Sequence, residues 1–178
     1  EFAPELYESI PASIWDATRV NGEIYGVVNQ QIFVRPIGPT FRADLVEELE
    51  LQDEIDAVEN WSELTPIFAT LNEYVEADDT LQYVLSGMVE FMEPNAWGYD
   101  EVLPGIVVKA DDETATAVFW ADTPEFAEAV ALARLWQESG FMSPEEPTNE
   151  QIQQGWRAGQ YTVHFQVQKP GLEVENSV

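Results

Sequence analysis

Few side chains in this sequence have the type and spacing that enzyme catalysis requires. His164 is the single histidine, and it lies in an alternating segment that predicts a strand, where a structural or surface histidine is the usual case. The sequence contains no GxSxG, HExxH, phosphate-loop or dinucleotide-binding motif. We therefore expect no catalytic residue and no cofactor.

Adjacent carboxylates are the second group that could do chemistry, as glycosidase carboxylates or as calcium ligands. The pairs Asp78-Asp79 and Asp111-Asp112 do not fit the EF-hand pattern, and 34 acidic residues make such pairs expected from composition alone. Asp111-Asp112 is typical of a turn. The absence of cysteine excludes disulfides, thiolate catalysis and cysteine-ligated zinc. The sequence thus predicts no metal site.

Aromatic side chains in polar loops offer a different chemistry, which is binding. Trp97 and Tyr99 lie in such a loop, where an aromatic ring can stack on the apolar C–H face of a sugar while nearby polar groups bind its hydroxyls. The remaining tryptophans lie within or beside predicted elements and are interpreted as core: Trp15, Trp61, Trp120, Trp136 and Trp156.

The charge of the chain excludes several function classes. Its 178 residues include 34 acidic and 7 basic ones, for a net charge of -27, which repels nucleic acid and anionic lipid surfaces. Aromatic residues are interleaved with the acids, so the chain should fold. Two interpretations of the charge stand, adaptation to high salt and an ordinary acidic surface; the presence of only Lys109 and Lys169 as lysines favours the first. No apolar run could span a membrane.

The elements that must position these residues alternate between strands and helices. Asn21-Gly22 predicts a hairpin whose second strand covers Glu23 to Asn29. Further predicted strands cover 106–108, 117–119 and 161–167, and predicted helices cover 42–49, 60–75, 124–139 and 149–158, with a loop at 53–59 and an ambiguous segment at 80–91. The helix from Pro124 is expected to bury these residues: Phe126, Val130, Ala133 and Leu135 or Trp136. The pattern indicates an α/β fold.

The order of short segments resembles family 1 extracellular solute-binding proteins, the ligand-capturing subunits of ABC importers. The similar segments are Trp15 to Val27, Phe41-Arg-Ala-Asp-Leu45, Asn60-Trp-Ser-Glu-Leu64, Asp122 to Phe141, and Trp156 to Val163 followed by Pro170-Gly171. Val28-Asn29 stands where the family commonly has proline. The last blocks look closest to the lipoprotein-type branch. Because family members are much longer, the chain is similar to their middle, mostly the second lobe.

This resemblance implies one α/β lobe of a periplasmic-binding-protein type II fold over residues 1–178, in which 1–35 and 160–178 lie near the interlobe crossover. It further implies that a solute, expected to be a carbohydrate or oligosaccharide, binds between two lobes, that a hinge closes, and that the closed form docks on ABC permease subunits. The protein would then be extracellular, as a membrane-anchored lipoprotein or a periplasmic protein. A processed chain is consistent with a sequence that begins at Glu1 and shows no signal peptide.

The implied ligand site lies where the crossover strand and the returning strand leave the sheet. The amides there offer donors and acceptors to a neutral, hydroxyl-rich ligand, and we expect them to converge beside Trp97 or Tyr99; they are Asn29, Gln30, Gln31, Gln166 and Gln168. Alternatively, the glutamines form only the solvent face of a strand. Two other functions stay open, a surface or interaction domain without transport and a fragment of a carbohydrate-active enzyme.

Overall fold

The computed structural model describes residues 3–27 and 36–169, and the chain divides into two compact units, residues 1–34 and 35–178. In the first unit, helices α1 (Pro4–Ser9) and α2 (Ala12–Asp16) precede a hairpin of β1 (Arg19–Val20) and β2 (Glu23–Ile24). Asn21 and Gly22 close this hairpin with φ angles of 52° and 87°, which these residue types tolerate. The hairpin is confirmed, although β2 ends at Ile24 and positions 28 and 29 lie outside the described residues.

The second unit alternates helices with short strands in a mixed α/β fold. Its described elements are β3 (Ile37–Phe41), α3 (Ala43–Glu48), α4 (Gln52–Asp56), α5 (Leu64–Ala77), β4 (Tyr83–Leu85), β5 (Tyr99–Leu103), β6 (Ile106–Lys109), β7 (Ala117–Phe119), α6 (Pro124–Glu138), α7 (Asn149–Arg157) and β8 (Tyr161–Val167). The helix α4 corrects the loop expected at 53–59. Among the described residues, no helix has the length and apolar character that crossing a membrane requires.

The larger sheet has the strand order β3-β8-β4, with β3 antiparallel and β4 parallel to the central strand β8. The side chains of β8 alternate between its two faces. Val163 and Phe165 enter the main core with α5 and α6, and Leu85 of β4 joins them. The opposite face carries His164, whose ring contacts Trp156 of α7 with centroids 5.3 Å apart. Helices therefore flank both faces of this sheet, as predicted.

Side-chain caps precede both long helices. Asn60 and Glu63 form a capping box just before α5, and the Thr123 hydroxyl accepts a hydrogen bond of 3.1 Å from the backbone N–H of Phe126 at the start of α6. The buried face of α5 also agrees with the predicted helical spacing, because these residues are buried: Leu64, Ile67, Phe68, Leu71 and Val75.

The buried face of α6 differs from the prediction. Ala129, Leu132 and Trp136 are buried, whereas Val130 and Leu135 are 43% and 44% exposed. The spacing of three and four residues between the buried positions defines one stripe of the helix, and Val130 and Leu135 lie beside it. Phe126 and Ala133 are half-buried. Trp136 was therefore predicted correctly, and Val130 wrongly.

A smaller antiparallel sheet, β5-β6-β7, has its own core of Tyr99, Val107 and Trp120. The acidic turn between β6 and β7 is confirmed. Asp112 accepts hydrogen bonds from the Thr114 hydroxyl at 2.6 Å and from the Thr116 backbone N–H at 2.9 Å. These hydrogen bonds, with one from the Thr114 backbone, lower the pKa of Asp112 to about 2. The carboxylate therefore organises the turn.

Candidate functional site

A cavity of about 600 Å³ opens in the second unit between β3, the N-terminus of α5 and the turn before β5. This volume lies within the range of small-molecule sites, about 300–1,000 Å³. Its walls are apolar and aromatic, and its polar lining is limited to three side chains, Glu59, Asn60 and Glu128. A few polar groups around an apolar floor are the usual composition of a ligand pocket.

Two tryptophans form the aromatic wall of the cavity, which we call the Trp61/Trp97 pocket. Trp61 begins the 3₁₀ turn Trp61–Glu63 before α5, and Trp97 ends the 3₁₀ turn Pro94–Trp97 before β5. Gly98, with φ of 80°, ends that second turn in a left-handed conformation that favours glycine. The two rings are half-buried, with centroids 6.2 Å apart and planes inclined by 49°.

The indole N–H groups of this pocket are already satisfied. Trp61 Nε1 donates to the Ala96 carbonyl at 3.1 Å, and Trp97 Nε1 donates to the Phe91 carbonyl at 2.9 Å. The exposed parts of both rings therefore offer carbon surface for stacking and no free donor. Trp61 packs against the main core, as predicted, through Phe91 and Phe165. Its additional place in the lining of the pocket was not predicted; the signal for it was its position inside the Asn60–Glu63 capping box, at a helix end rather than on a buried face.

Glu59 and Glu128 line the rim of the pocket, and Glu63 belongs to the capping box beside Trp61; these carboxylates differ in the hydrogen bonds that they accept. Glu63, which is not part of the lining, accepts hydrogen bonds from the backbone N–H groups of Glu59 and Asn60 at 2.7 and 3.1 Å, which lower its pKa. Glu59 and Glu128 are exposed, and neither carboxylate forms a hydrogen bond or ion pair with another described residue. These two carboxylates are available to a ligand.

The predicted glutamines lie on the other side of the sheet from the tryptophans. Gln166 Nε2 donates to the Thr40 hydroxyl at 2.8 Å, and Gln168 Nε2 donates to the Gly38 carbonyl at 3.0 Å. Trp61, by contrast, contacts Phe165, on the opposite face of β8, with ring centroids 5.8 Å apart. Trp97 packs against Trp61 on that face, so the structure does not bring Trp97 beside Gln166 and Gln168.

The other residues of the predicted site are occupied or undescribed. Tyr99 is only 7% exposed, and its hydroxyl donates to Glu125 Oε2 at 2.9 Å. Burial, followed by this carboxylate, raises the pKa of Tyr99. The ring belongs to the core of the small sheet and packs on Trp120. The positions Asn29, Gln30 and Gln31 lie outside the described residues.

His164 and Ser86 form a buried polar pair. Ser86 Oγ and His164 Nδ1 are 2.7 Å apart, and the two residues are 2% and 3% exposed. Burial lowers the pKa of His164 to about 4. A substrate cannot reach a nucleophile that is covered in this way, so this arrangement is structural. Within residues 3–27 and 36–169, no three histidine, aspartate or glutamate side chains cluster as metal ligands would.

Comparison with known proteins gives a fold and no family. No family model matches the chain, and no curated protein matches it. A solved structure of the N-glycan transport solute-binding protein NgtS of Streptococcus pneumoniae is similar over 94% of this chain, with a TM-score of 0.69 and 16% identity. A second structure of that protein, in complex with Man1GlcNAc, covers 95% of the chain with a TM-score of 0.62 and 17% identity.

These matches show that the chain has the fold of a solute-binding protein segment, with sheets flanked by helices. The chain spans 36% of the length of the NgtS chains that it matches. At 16% and 17% identity, the likeness concerns the fold and does not transfer the ligand. The predicted α/β fold is thereby confirmed.

Proposed function

We propose that this chain is one lobe of an extracytoplasmic solute-binding protein that captures a carbohydrate for ABC-type import. The observation that carries the proposal is the Trp61/Trp97 pocket, an aromatic platform with a polar rim on a solute-binding protein fold. The comparison protein NgtS is an N-glycan transport solute-binding protein, and one of its two structures was solved with Man1GlcNAc. A carbohydrate is thus the ligand class that agrees with both the pocket and the fold.

The chemistry of the pocket suits a sugar ring. The C–H face of a pyranose is apolar and can lie on the carbon surface of Trp61 or Trp97, while its hydroxyls donate to the carboxylates of Glu59 and Glu128. Two successive sugar rings could each lie on one of the two indoles, whose planes are inclined by 49°. The Asn60 amide is less available, since its Nδ2 lies 3.3 Å from Glu63 Oε1.

We further propose that the chain is a single lobe over 1–178, with 1–35 and 160–178 near the crossover, in which Gln166 and Gln168 face a second lobe. These amides would then contact the ligand from a different side than Trp97. Transport would require ABC permease subunits, and the protein would be periplasmic or a lipoprotein. We propose a saline habitat from the net charge of -27.

Ligand-observed saturation-transfer NMR on this 178-residue chain tests the proposal. We expect transfer to the ring protons of a mannose–N-acetylglucosamine disaccharide at millimolar concentration, and its loss in Trp97→Ala. Phe119→Ala is the matched control, because Phe119 is a 50% exposed aromatic residue on β7 outside the pocket. Circular dichroism checks that both variants fold. Equal transfer to the two variants would refute the assigned pocket.

One observation favours a second candidate, an interaction domain on the same fold. The outer face of the small sheet exposes Leu103 and Phe119, at 64% and 50%, with Ile106 paired between them. Apolar side chains grouped on a surface often mark protein contacts. Absence of saccharide binding by the folded chain would favour this candidate over carbohydrate capture.

A further inference from the structure

We propose that the Trp61/Trp97 pocket selects saccharides without acid groups, neutral or amine-bearing, and that Glu59 and Glu128 impose this selection. The inference rests on the proposed function and adds the charge class of the ligand. Its starting point is the lining of the cavity by the residues that the structure describes, among which Glu59 and Glu128 are the charged side chains and no lysine or arginine is present. Sites for acidic sugars need the opposite arrangement, cations that pair with a carboxylate.

Three basic residues of the second unit are paired with carboxylates away from the pocket. Arg42 pairs with Asp44 at 2.6 Å, Lys109 pairs with Glu125 at 3.2 Å, and Arg134 pairs with Glu138 at 2.7 Å. None of these residues lines the pocket. A carboxylated ligand would therefore meet two carboxylates with no counter-charge from these three cations.

The N-terminus of α5 is the other feature that could attract an anion. Free N–H groups at a helix start form a favourable site for negative charge. Here the Asn60 side chain accepts from the backbone N–H of Glu63 in the first turn, and the Glu63 carboxylate accepts from the backbone N–H groups of Glu59 and Asn60 just before it, at 2.7 and 3.1 Å, so the chain supplies its own anion at this position. An acidic sugar would have to displace Glu63 to use these donors.

The tryptophan rings, like the two carboxylates, disfavour an anionic ligand. Both indole N–H groups are satisfied by backbone carbonyls, so neither ring offers a free donor to an anionic group. The face of an aromatic ring is electron-rich, which attracts cations and repels anions. A protonated amine on a sugar would gain from both the ring faces and the rim carboxylates, and a neutral sugar would gain from stacking and from hydrogen bonds to Glu59 and Glu128.

A matched series of ligands tests the inference on the 178-residue chain. The probes are a mannose–N-acetylglucosamine disaccharide, its N-deacetylated amine, and its uronate, in which the mannose C6 carbon is a carboxylate. Affinities come from ligand-observed NMR titration in about 0.15 M NaCl, where the Debye length is about 8 Å, so distant surface charge is screened while the carboxylates that line the pocket still act on the ligand. We expect the neutral and amine forms to bind at least about tenfold more tightly than the uronate.

The variant Glu59→Gln/Glu128→Gln should reduce this discrimination to less than about threefold, mainly through stronger binding of the uronate. The control variant Glu113→Gln/Glu145→Gln removes the same number of charges from exposed positions outside the pocket and should keep the tenfold difference. If the unaltered chain binds the uronate as tightly as the neutral disaccharide, this inference is overturned, while the proposed function stands. An equal loss of discrimination in the control would overturn the roles of Glu59 and Glu128. Binding of none of the three probes would overturn the proposed function as well.

Discussion

The buried His164 makes the stability of this protein depend on pH in a defined window. The imidazole is 3% exposed, contacts the ring of Trp156, and lies 2.7 Å from Ser86 Oγ. Its pKa in the folded protein is about 4, below the ordinary value of 6.5, because burial penalises the charged ring. The unfolded chain therefore takes up a proton on His164 at a higher pH than the folded chain does.

The sign and size of the effect follow from this difference. Above pH 6.5 both states are neutral at this residue, and no stability is lost. As the pH falls from 6.5 toward 4, the unfolded state is protonated and stabilised, so the free energy of unfolding decreases. The two pKa values differ by about 2.5, and each pKa unit corresponds to about 1.4 kcal/mol. The free energy of unfolding is therefore expected to fall by about 3 kcal/mol by pH 4. Below pH 4 the loss levels off, because both states carry the proton.

Urea denaturation of the wild-type chain and of His164→Asn, from pH 7.5 to 4, measures this contribution. Asparagine keeps a polar group near Ser86 and cannot titrate, while the many carboxylates titrate alike in both proteins. We expect the wild-type free energy of unfolding to fall by about 3 kcal/mol more than that of the variant. Because His164 is the single histidine of the chain, its NMR titration gives the pKa directly. A folded-state pKa of about 6 or higher, or parallel pH curves, would refute the reasoning.

Three further predictions concern charge, binding and packing. The melting temperature should rise as NaCl increases to molar levels, because salt screens repulsion at a net charge of -27; a flat or falling curve in scanning calorimetry would remove the high-salt interpretation. Titration calorimetry of the chain should show no submicromolar sugar binding, since one lobe supplies only part of the contacts; a submicromolar Kd would mean that the site is complete. Gly155→Ala should destabilise the fold by about 1–3 kcal/mol in urea denaturation, because the new methyl group would lie 2.4 Å from the Tyr161 ring; unchanged stability would contradict this packing.

Local sequence signals predicted much of the fold correctly. The turn at Asn21-Gly22, the cap at Thr123 and the alternation of Tyr161 to Val167 each depend on a few neighbouring residues, and all three are present in the structure. The strand β5 was not predicted, because four of its five residues are exposed and its sequence does not alternate between apolar and polar residues. Its pairing with β6 forms the strand instead. The helix α4 was likewise missed in an acidic segment without apolar periodicity.

The sequence by itself determined which groups are available for binding, namely aromatic rings and amides. It also showed that the chain is acidic and lacks the catalytic motifs that were sought. It also indicated Trp97 as a residue outside the main apolar runs. Only the tertiary structure decided that Trp61 joins Trp97, that Tyr99 is buried against Glu125, and that Gln166 and Gln168 lie on the opposite face. The physical reason is that each of these arrangements depends on contacts between residues distant in the chain; for the glutamines it is the pairing of β3 with β8, in which residues more than a hundred positions apart set which side chains share a face.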